Sequence, residues 1–328
     1  MSSSVTSVPA GLTPESEFPA QRYRPDIPWW TENYCFVAYD PATEIGLWTH
    51  LGRAPFDSTL WRELSFIYLP SGERLVNKGY GRSETPRGPG GATLSFHNVE
   101  PFRQWRMRRD GGSIRTTVSQ LYNGMAADSA HERAAFDLTL TCNTPVWDWG
   151  EVEDAQGWGK LHYEQLVDVV AGTVTVAGEV IPFDGQGLRD HTSGARDFTV
   201  FSSHIWSWAN FPSGRGFILL HLVVDGQYLT RAVVLQDGKL ESVEMKNSPV
   251  LTDRSQHADP YVLELGEHRI DAEILHPFPN GFDGPNDICI GYDPDVTATS
   301  NFESLSRFVW DGEVGYGHTE RSLRLRHP

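Results

Sequence analysis

The sequence predicts an all-β protein built from two consecutive antiparallel β-barrels with little helix. From Trp29 onward, short runs of alternating polar and apolar residues predominate, and this period of two is typical of strands. Dipeptides ending in glycine separate many of these runs, as expected of tight hairpin turns. The 328 residues can supply two barrels, and the regular strand–helix alternation of a doubly wound fold is absent.

Successive hairpins account for most of the chain. A stretch beginning near Ala130 can be read either as a short helix or as a strand, and closed sheets are favoured because they leave no exposed edge. The predicted hairpin turns are Ser71-Gly72, Asp110-Gly111, Ala177-Gly178, Asp225-Gly226 and Asp237-Gly238.

The alternation breaks between about residues 143 and 160, which predicts a domain boundary there. The first barrel is expected at residues 29–155 and the second at 156–328, with roughly eight strands on each side, and a deeply curved single sheet is the other possibility. Residues 1–28 contain several prolines and lack the basic and apolar regions of a signal peptide. They are therefore predicted to form a mobile N-terminal arm.

Composition narrows the possible partners. The chain has 43 acidic and 27 basic residues and a formal net charge of -16, which argues against nucleic acid as a partner. No apolar stretch approaches membrane-spanning length. Cys35, Cys142 and Cys289 form no CxxC pair, which suits a reducing, cytoplasmic location. Phosphate-loop, dinucleotide and zinc-helix motifs are also absent, so neither a cofactor nor a metal is expected.

The stretch GLRDHTSGARDF places Asp190 and His191 just before the aromatic run HIWSWANF. Alternation puts His204, Trp206 and Trp208 on one strand face, and the register decides whether His221 joins them. If this face lines an apolar cavity, a carboxyl group at its wall loses hydration and its pKa rises. Asp190 could then act as a general acid, and the rings could stabilise a cation formed from a protonated alkene.

A purely structural interpretation stays open for the same residues. The Asp190 segment can be a simple turn, and the tryptophans can be core packing. In KLHYEQ, His162 and Glu164 share one strand face, whereas Tyr163 and Gln165 share the other. Near the C-terminus, GYGHTERS is either a closing strand or a site contribution.

The order of HYEQ, TVTVAGEVIPFDGQG, RDHTSGARDF and GYGHTERS resembles the AttH-like and carotenoid 1,2-hydratase superfamily, in particular its poorly characterised bacterial branch. The resemblance implies a pair of lipocalin-like barrels and relatives that include carotenoid hydratases and Diels-Alderase-type cyclases. Asp190 and His191 match the Asp-His of the family motif and Gly194 matches its glycine, which implies that Asp190 is the proton donor. Ser193 and Phe198 stand where tryptophans are common in the family. Without an indole ring at position 193, the pocket would be wider or would admit water.

The sequence therefore predicts a cofactor-independent acid–base enzyme, of the lyase, hydratase, dehydratase or isomerase type. Its substrate is expected to be a small hydrophobic molecule that is unsaturated or aromatic. The main alternative is a non-catalytic lipocalin-like carrier, and a third possibility is an interaction protein that uses its aromatic residues at a subunit interface, for instance in a homodimer. The predicted catalytic residues are Asp190 and His191, and the predicted substrate-binding residues are Tyr163, His204, Trp206, Trp208, His221, His318 and Glu320.

Overall fold

A computed structural model describes residues 7–20, 24, 26–54, 56–124, 130–149, 161–200, 202–224, 226–283, 287–292 and 299–324. It confirms an almost entirely β architecture with one short helix, α1 (Val118–Tyr122), and two 3₁₀ turns at Pro14–Glu17 and Arg254–Ala258. Within the described ranges, no helix is long and apolar enough to cross a membrane. The strands are β1 (Trp30–Asp40), β2 (Ile45–Ala54), β3 (Asp57–Tyr68), β4 (Arg74–Gly81), β5 (Leu94–Glu100), β6 (Gln104–Thr116), β7 (His131–Thr141), β8 (Trp147–Asp148), β9 (Leu161–Val176), β10 (Glu179–Ala195), β11 (Ser203–Asn210), β12 (Gly216–Val224), β13 (Gln227–Gln236), β14 (Lys239–Ser242), β15 (Tyr261–Leu265), β16 (His268–His276), β17 (Pro279–Asp283), β18 (Asp287–Ile290), β19 (Thr299–Trp310) and β20 (Glu313–Arg324).

The chain divides into two compact units. Unit 1 comprises Met1–Thr116 with Ser129–Arg196, and unit 2 comprises Thr117–Asp128 with Asp197–Pro328. This division differs from the expected boundary at residue 155, because β9 and β10 pair with β7 and β1 of unit 1. The segment around α1 belongs to unit 2, where the Leu121 carbonyl accepts a hydrogen bond from the Tyr292 amide (2.7 Å).

The sheet of unit 1 closes on itself. Its hydrogen-bonded order is β10-β1-β2-β3-β4-β6-β7-β9, and β9 also pairs with β10, so these strands form a continuous barrel. β5 pairs with β6 and β8 with β9 beside the ring. One hydrophobic cluster fills the interior and includes Phe36, Leu47, Trp105, Leu138 and Val170. Burying apolar surface of this kind is the main favourable contribution to folding.

The sheet of unit 2 follows the order β14-β13-β12-β11-β20-β19-β16-β15, with β17 joined to β19 and β18 to β17. The chain after β14 reaches β15 at the other end of this order. There the Lys246 amide donates to the Glu264 carbonyl (2.8 Å), and the Gly266 amide donates to the Glu244 carbonyl (2.7 Å). These bonds join the two ends of the sheet around a core that includes Ile205, Phe217 and Trp310.

Several predicted hairpins are confirmed. At Ala177-Gly178 and Asp237-Gly238, both residues have positive φ, as a two-residue hairpin turn of the favoured type requires. β12 and β13 also form a hairpin, although Asp225 lies outside the described residues. The region near Ala130 leads directly into strand β7.

The turn predicted at Asp110-Gly111 is wrong, because β6 runs straight through both residues. Asp110 instead accepts a hydrogen bond from Arg133 Nε on β7 (2.7 Å). Gly111 leaves room for Thr93, whose Cγ2 would lie 2.5 Å from a Cβ at this position. The glycine therefore reflects a close approach within a strand.

The prediction of a mobile N-terminal arm is wrong for residues 7–20. Leu12 packs against Phe102, Val146 and Tyr163. The side chain of Glu17 is fully buried in unit 1, where it makes the contacts described below. This segment is therefore part of the folded unit, because its acidic side chain has buried partners.

Candidate functional site

Asp190 and His191 lie on β10 and point to opposite faces of the unit 1 barrel. Successive strand residues alternate between faces, and the register pairs Asp190 with Glu164 but His191 with Tyr163 on β9. The two residues predicted to act together therefore meet different partners. Asp190 is oriented by groups other than His191.

Asp190 forms a buried triad with His162 and Glu164 of β9, which we call the Asp190 triad. His162 Nε2 lies 2.8 Å from Glu164 Oε1 and 3.2 Å from Asp190 Oδ2. The indole ring of Trp149 stacks on the imidazole, with ring centroids 3.7 Å apart. Asp190 and His162 keep 6% and 8% of their surface exposed, whereas Glu164 is fully buried. Asp190 and His162 are thus the members of the triad that keep some solvent exposure.

The two carboxylates of the triad favour the protonated form of His162. Burial disfavours the imidazolium, but the hydrogen bonds with Asp190 and Glu164 and the charges of both carboxylates outweigh burial, so the pKa of His162 is raised. An aromatic face such as that of Trp149 also stabilises a cation. The arrangement places an acidic N–H directly against the Asp190 carboxylate, which is the geometry of a proton-transfer pair.

The same three side chains could also hold a metal ion. One ligand atom from each lies within 4.8 Å of the others, and a nitrogen with two carboxylate oxygens suits several divalent cations. A cation bound there would have to displace the proton that His162 shares with the carboxylates. Both contacts of His162 are made by the same ring nitrogen, Nε2, so its single N–H is shared between the two carboxylates.

Around His191, the interior of unit 1 contains a second polar network. His191 Nδ1 lies 2.8 Å from the Tyr163 hydroxyl oxygen, and Nε2 lies 3.0 Å from Glu32 Oε1. Burial opposes ionisation of Glu32, but the hydrogen bond with His191 and the charges of His191 and Arg53 lower its pKa overall. The ring of Tyr34 stacks on His191 at a centroid distance of 3.9 Å.

Glu17 connects this network to the N-terminal segment. Its Oε1 accepts hydrogen bonds from the Tyr163 hydroxyl (2.6 Å) and Arg189 Nη1 (2.9 Å). Its Oε2 accepts from the Phe102 amide (2.9 Å) and Trp105 Nε1 (3.1 Å). Each of these groups is buried, so Tyr163 and His191 are held in a packed interior. Their observed contacts are structural.

In unit 2, the predicted aromatic face of β11 is confirmed. The register places Trp206 opposite Glu320 and Trp208 opposite His318 on β20, and directly opposed residues share a face. His204 Nε2 lies 3.1 Å from Glu320 Oε1, and Trp206 meets His318 edge to face. Five predicted residues therefore lie together, and this set is called the β11–β20 face.

His221 lies on the other side of the same sheet. The register pairs it with Ile205, whose side chain belongs to the interior cluster of unit 2. His221 Nδ1 lies 2.6 Å from the Thr230 hydroxyl, and Nε2 lies 2.8 Å from the Ser248 hydroxyl. The structure therefore does not bring His221 to the β11–β20 face.

Several residues of these clusters were not among the predicted site residues. The alternation of KLHYEQ already placed His162 and Glu164 on one face, which was the available signal for the Asp190 triad. Trp149 carried no local signal, because only the pairing of distant strands brings it to the triad. Ser193 lies opposite Glu32 on β1, and Phe198 stacks on Phe282 within unit 2.

Residues 13–323 match the model of a family described as a domain of unknown function, DUF7064, and the chain belongs to this family. No curated protein matches the sequence significantly.

Solved structures with a similar fold come from proteins of low sequence identity. An AttH-like protein from Nitrosomonas europaea has a TM-score of 0.64 at 14% identity, covering 98% of this chain and all of that one. Kievitone hydratase from Nectria haematococca has a TM-score of 0.59 at 11% identity, covering 98% and 96% of the two chains. CghA has a TM-score of 0.57 at 13% identity, covering 96% and 93%. These similarities confirm the AttH-like, lipocalin-type fold.

Proposed function

We propose that this member of the DUF7064 family is a cofactor-independent acid–base enzyme that acts on a small hydrophobic molecule with a double bond or an aromatic ring. The observation that carries the proposal is the Asp190 triad, in which His162 Nε2 lies 3.2 Å from Asp190 Oδ2 and the neighbouring carboxylates raise the pKa of the imidazole. One neighbour of similar fold is a hydratase by name, which is consistent with chemistry of this type.

The surroundings of the triad support an apolar substrate. Leu188 lies on the same face of β10 as Asp190, and Leu166 lies on the same face of β9 as Glu164. Trp147 is the register partner of Glu164, and Trp149 covers His162. A proton donor among such side chains acts in a region of low polarity, where its interaction with a developing charge is stronger than in water.

In this proposal, Asp190 exchanges the proton with the substrate and His162 replaces it. For a hydration, one alkene carbon gains a C–H bond, water adds to the neighbouring carbon, and the proton lost by that water returns to the triad. For an isomerisation, the triad gives a proton to one carbon and removes one from another. Both sequences leave the protein unchanged and require no external oxidant or reductant.

A carrier that encloses its ligand in the unit 1 barrel is the weaker alternative. The described interior of that barrel is occupied by the hydrophobic cluster and by the network around Glu17 and His191. A carrier function also gives no reason to bury two carboxylates around one imidazole, because desolvating ionisable groups costs free energy.

Deuterium incorporation tests this function even while the substrate is unidentified. The full-length protein is incubated in D₂O with a fractionated hydrophobic extract and with a panel of unsaturated terpenoids and aromatic compounds, and the products are analysed by mass spectrometry. An enzyme that moves protons to carbon is expected to leave deuterium in carbon-bound positions that do not exchange back in H₂O. Ligands that bind without acquiring label would identify a carrier and contradict the proposal.

A further inference from the structure

The β11–β20 face continues onto β19, where it includes a second buried carboxyl group. Glu303 of β19 lies directly opposite Glu320 of β20. The side-chain amide of Asn301 donates to Glu303 Oε1 (3.0 Å) and to Glu320 Oε1 (3.2 Å). One amide nitrogen thus bridges the two glutamates. Like charges at directly opposed strand positions destabilise a sheet, so this placement needs an explanation.

The two glutamates differ in their exposure. Glu303 is 2% exposed, whereas the Glu320 side chain keeps 15%. Burial and the negative charge of Glu320 together raise the pKa of Glu303 well above its ordinary value. The geometry and the electrostatics both favour a neutral carboxyl group at Glu303.

Each carboxyl group of the pair contacts a different histidine. His318 Nε2 lies 2.7 Å from Glu303 Oε2, but burial lowers the pKa of His318 to about 3. The lowered pKa favours a neutral His318, whereas Glu320 has His204 Nε2 3.1 Å from its Oε1.

The neighbouring strands complete the surroundings of the pair. Asn280 on β17 is the register partner of Asn301. Leu220 and Leu222 of β12 lie opposite Trp206 and His204 and are buried. The groups that face the pair from these strands are neutral amides and apolar side chains.

We propose that Glu303 and Glu320 form a second acid–base pair, which holds one proton at neutral pH and exchanges it with a polar group on an apolar ligand. The identity of the ligand rests on the function proposed above, whereas the stored proton does not. When the pair donates, the O–H bond of Glu303 breaks and a bond to hydrogen forms on the ligand. The pair then carries two negative charges in a buried setting, and this cost drives the uptake of a proton from solvent.

Carboxyl protonation can be measured directly in the full-length protein. Glutamate is labelled with ¹³C at the side-chain carboxyl carbon, and its NMR signals are followed from pH 4 to 9. The variants are Glu303→Gln and Glu320→Gln, with Glu273→Gln, an exposed residue of β16, as the matched control. Substituting glutamine for a neutral carboxyl group preserves shape and hydrogen bonding, so Glu303→Gln is expected to fold.

The wild type is expected to show one glutamate that is still protonated at pH 7. The signal should disappear in Glu303→Gln and persist unchanged in Glu273→Gln. In Glu320→Gln it should remain but titrate at lower pH, because the neighbouring charge is gone. Absence of the signal in the wild type, its survival in Glu303→Gln, or an unchanged midpoint in Glu320→Gln would each overturn the inference. Since no substrate is used, a negative result here is separate from failure of the proposed enzyme activity.

Discussion

The Glu303–His318 contact predicts an unusual dependence of stability on pH. In the folded protein both groups are neutral at mildly acidic pH, since the pKa of Glu303 is raised and that of His318 is lowered to about 3. In the unfolded chain between about pH 5 and 6.5, glutamate is ionised and histidine is protonated. Folded and unfolded states then bind the same number of protons at these two sites, so their contributions largely cancel.

Glu303→Gln removes the contribution of the glutamate, so that the contribution of His318 to the pH dependence is no longer cancelled. His318 has a lowered pKa in the folded state, so the unfolded chain binds more protons and stability falls as the pH falls below 6.5. Each pH unit corresponds to about 1.4 kcal/mol, so moving from pH 6.5 to 5 should cost the variant about 2 kcal/mol more than the wild type. His318→Gln should do the opposite, because Glu303 alone favours the folded state as the pH falls towards its ordinary value.

Urea unfolding followed by tryptophan fluorescence at several pH values measures these differences. The relevant quantity is the variant's free energy of unfolding minus that of the wild type, because other titrating groups cancel in this difference. Glu273→Gln serves as the surface control and should stay parallel to the wild type. Parallel profiles for Glu303→Gln, His318→Gln and the wild type would refute the assignment of neutral groups at this contact.

Three further outcomes are expected. Glu17→Gln leaves a buried arginine without its carboxylate and should lower the free energy of unfolding by about 3 kcal/mol in urea denaturation; a change below about 0.5 kcal/mol would mean that the N-terminal segment is not docked as described. Gly111→Ala forces a contact with the side chain of Thr93 and should cost about 1–3 kcal/mol, whereas at Gly112, where the added methyl group meets nothing within 4 Å, the same substitution should be far milder; equal costs would contradict the close approach. Asp190→Asn removes one carboxylate from His162 and should lower the pKa of that imidazole in an NMR titration, and an unchanged value would contradict the triad.

Strand alternation was sufficient to predict the β architecture and the composition of individual faces. The HIWSWANF stretch correctly placed His204, Trp206 and Trp208 together, because period-two geometry is local. The same geometry separates neighbours, and Asp190 and His191 therefore could not share a site despite being adjacent in the motif. Their adjacency in the sequence wrongly suggested that the two side chains act together.

Features that depend on pairing between distant strands could not be predicted. The prediction of a turn at Asp110-Gly111 was wrong because the turn preference of the dipeptide is a local property. Its place in β6 depends instead on contacts with Thr93 and Arg133. The side of the sheet that His221 occupies depends on the strand register, because a shift of one residue would move its side chain to the opposite face. Glu303 became a candidate only when the sheet brought it opposite Glu320.

The most direct test of the central claim compares deuterium incorporation by Asp190→Asn and by Asp184→Asn, using the compound that the wild-type protein labels in D₂O. Asp184 lies on the same strand and is exposed, so its substitution controls for the loss of an acidic residue from β10. The account predicts that Asp190→Asn lowers the labelling rate at least about 100-fold while ligand binding persists, and that Asp184→Asn labels at the wild-type rate. If Asp190→Asn labelled the compound at the wild-type rate, Asp190 would not be the proton donor and the chemistry would take place elsewhere in the protein.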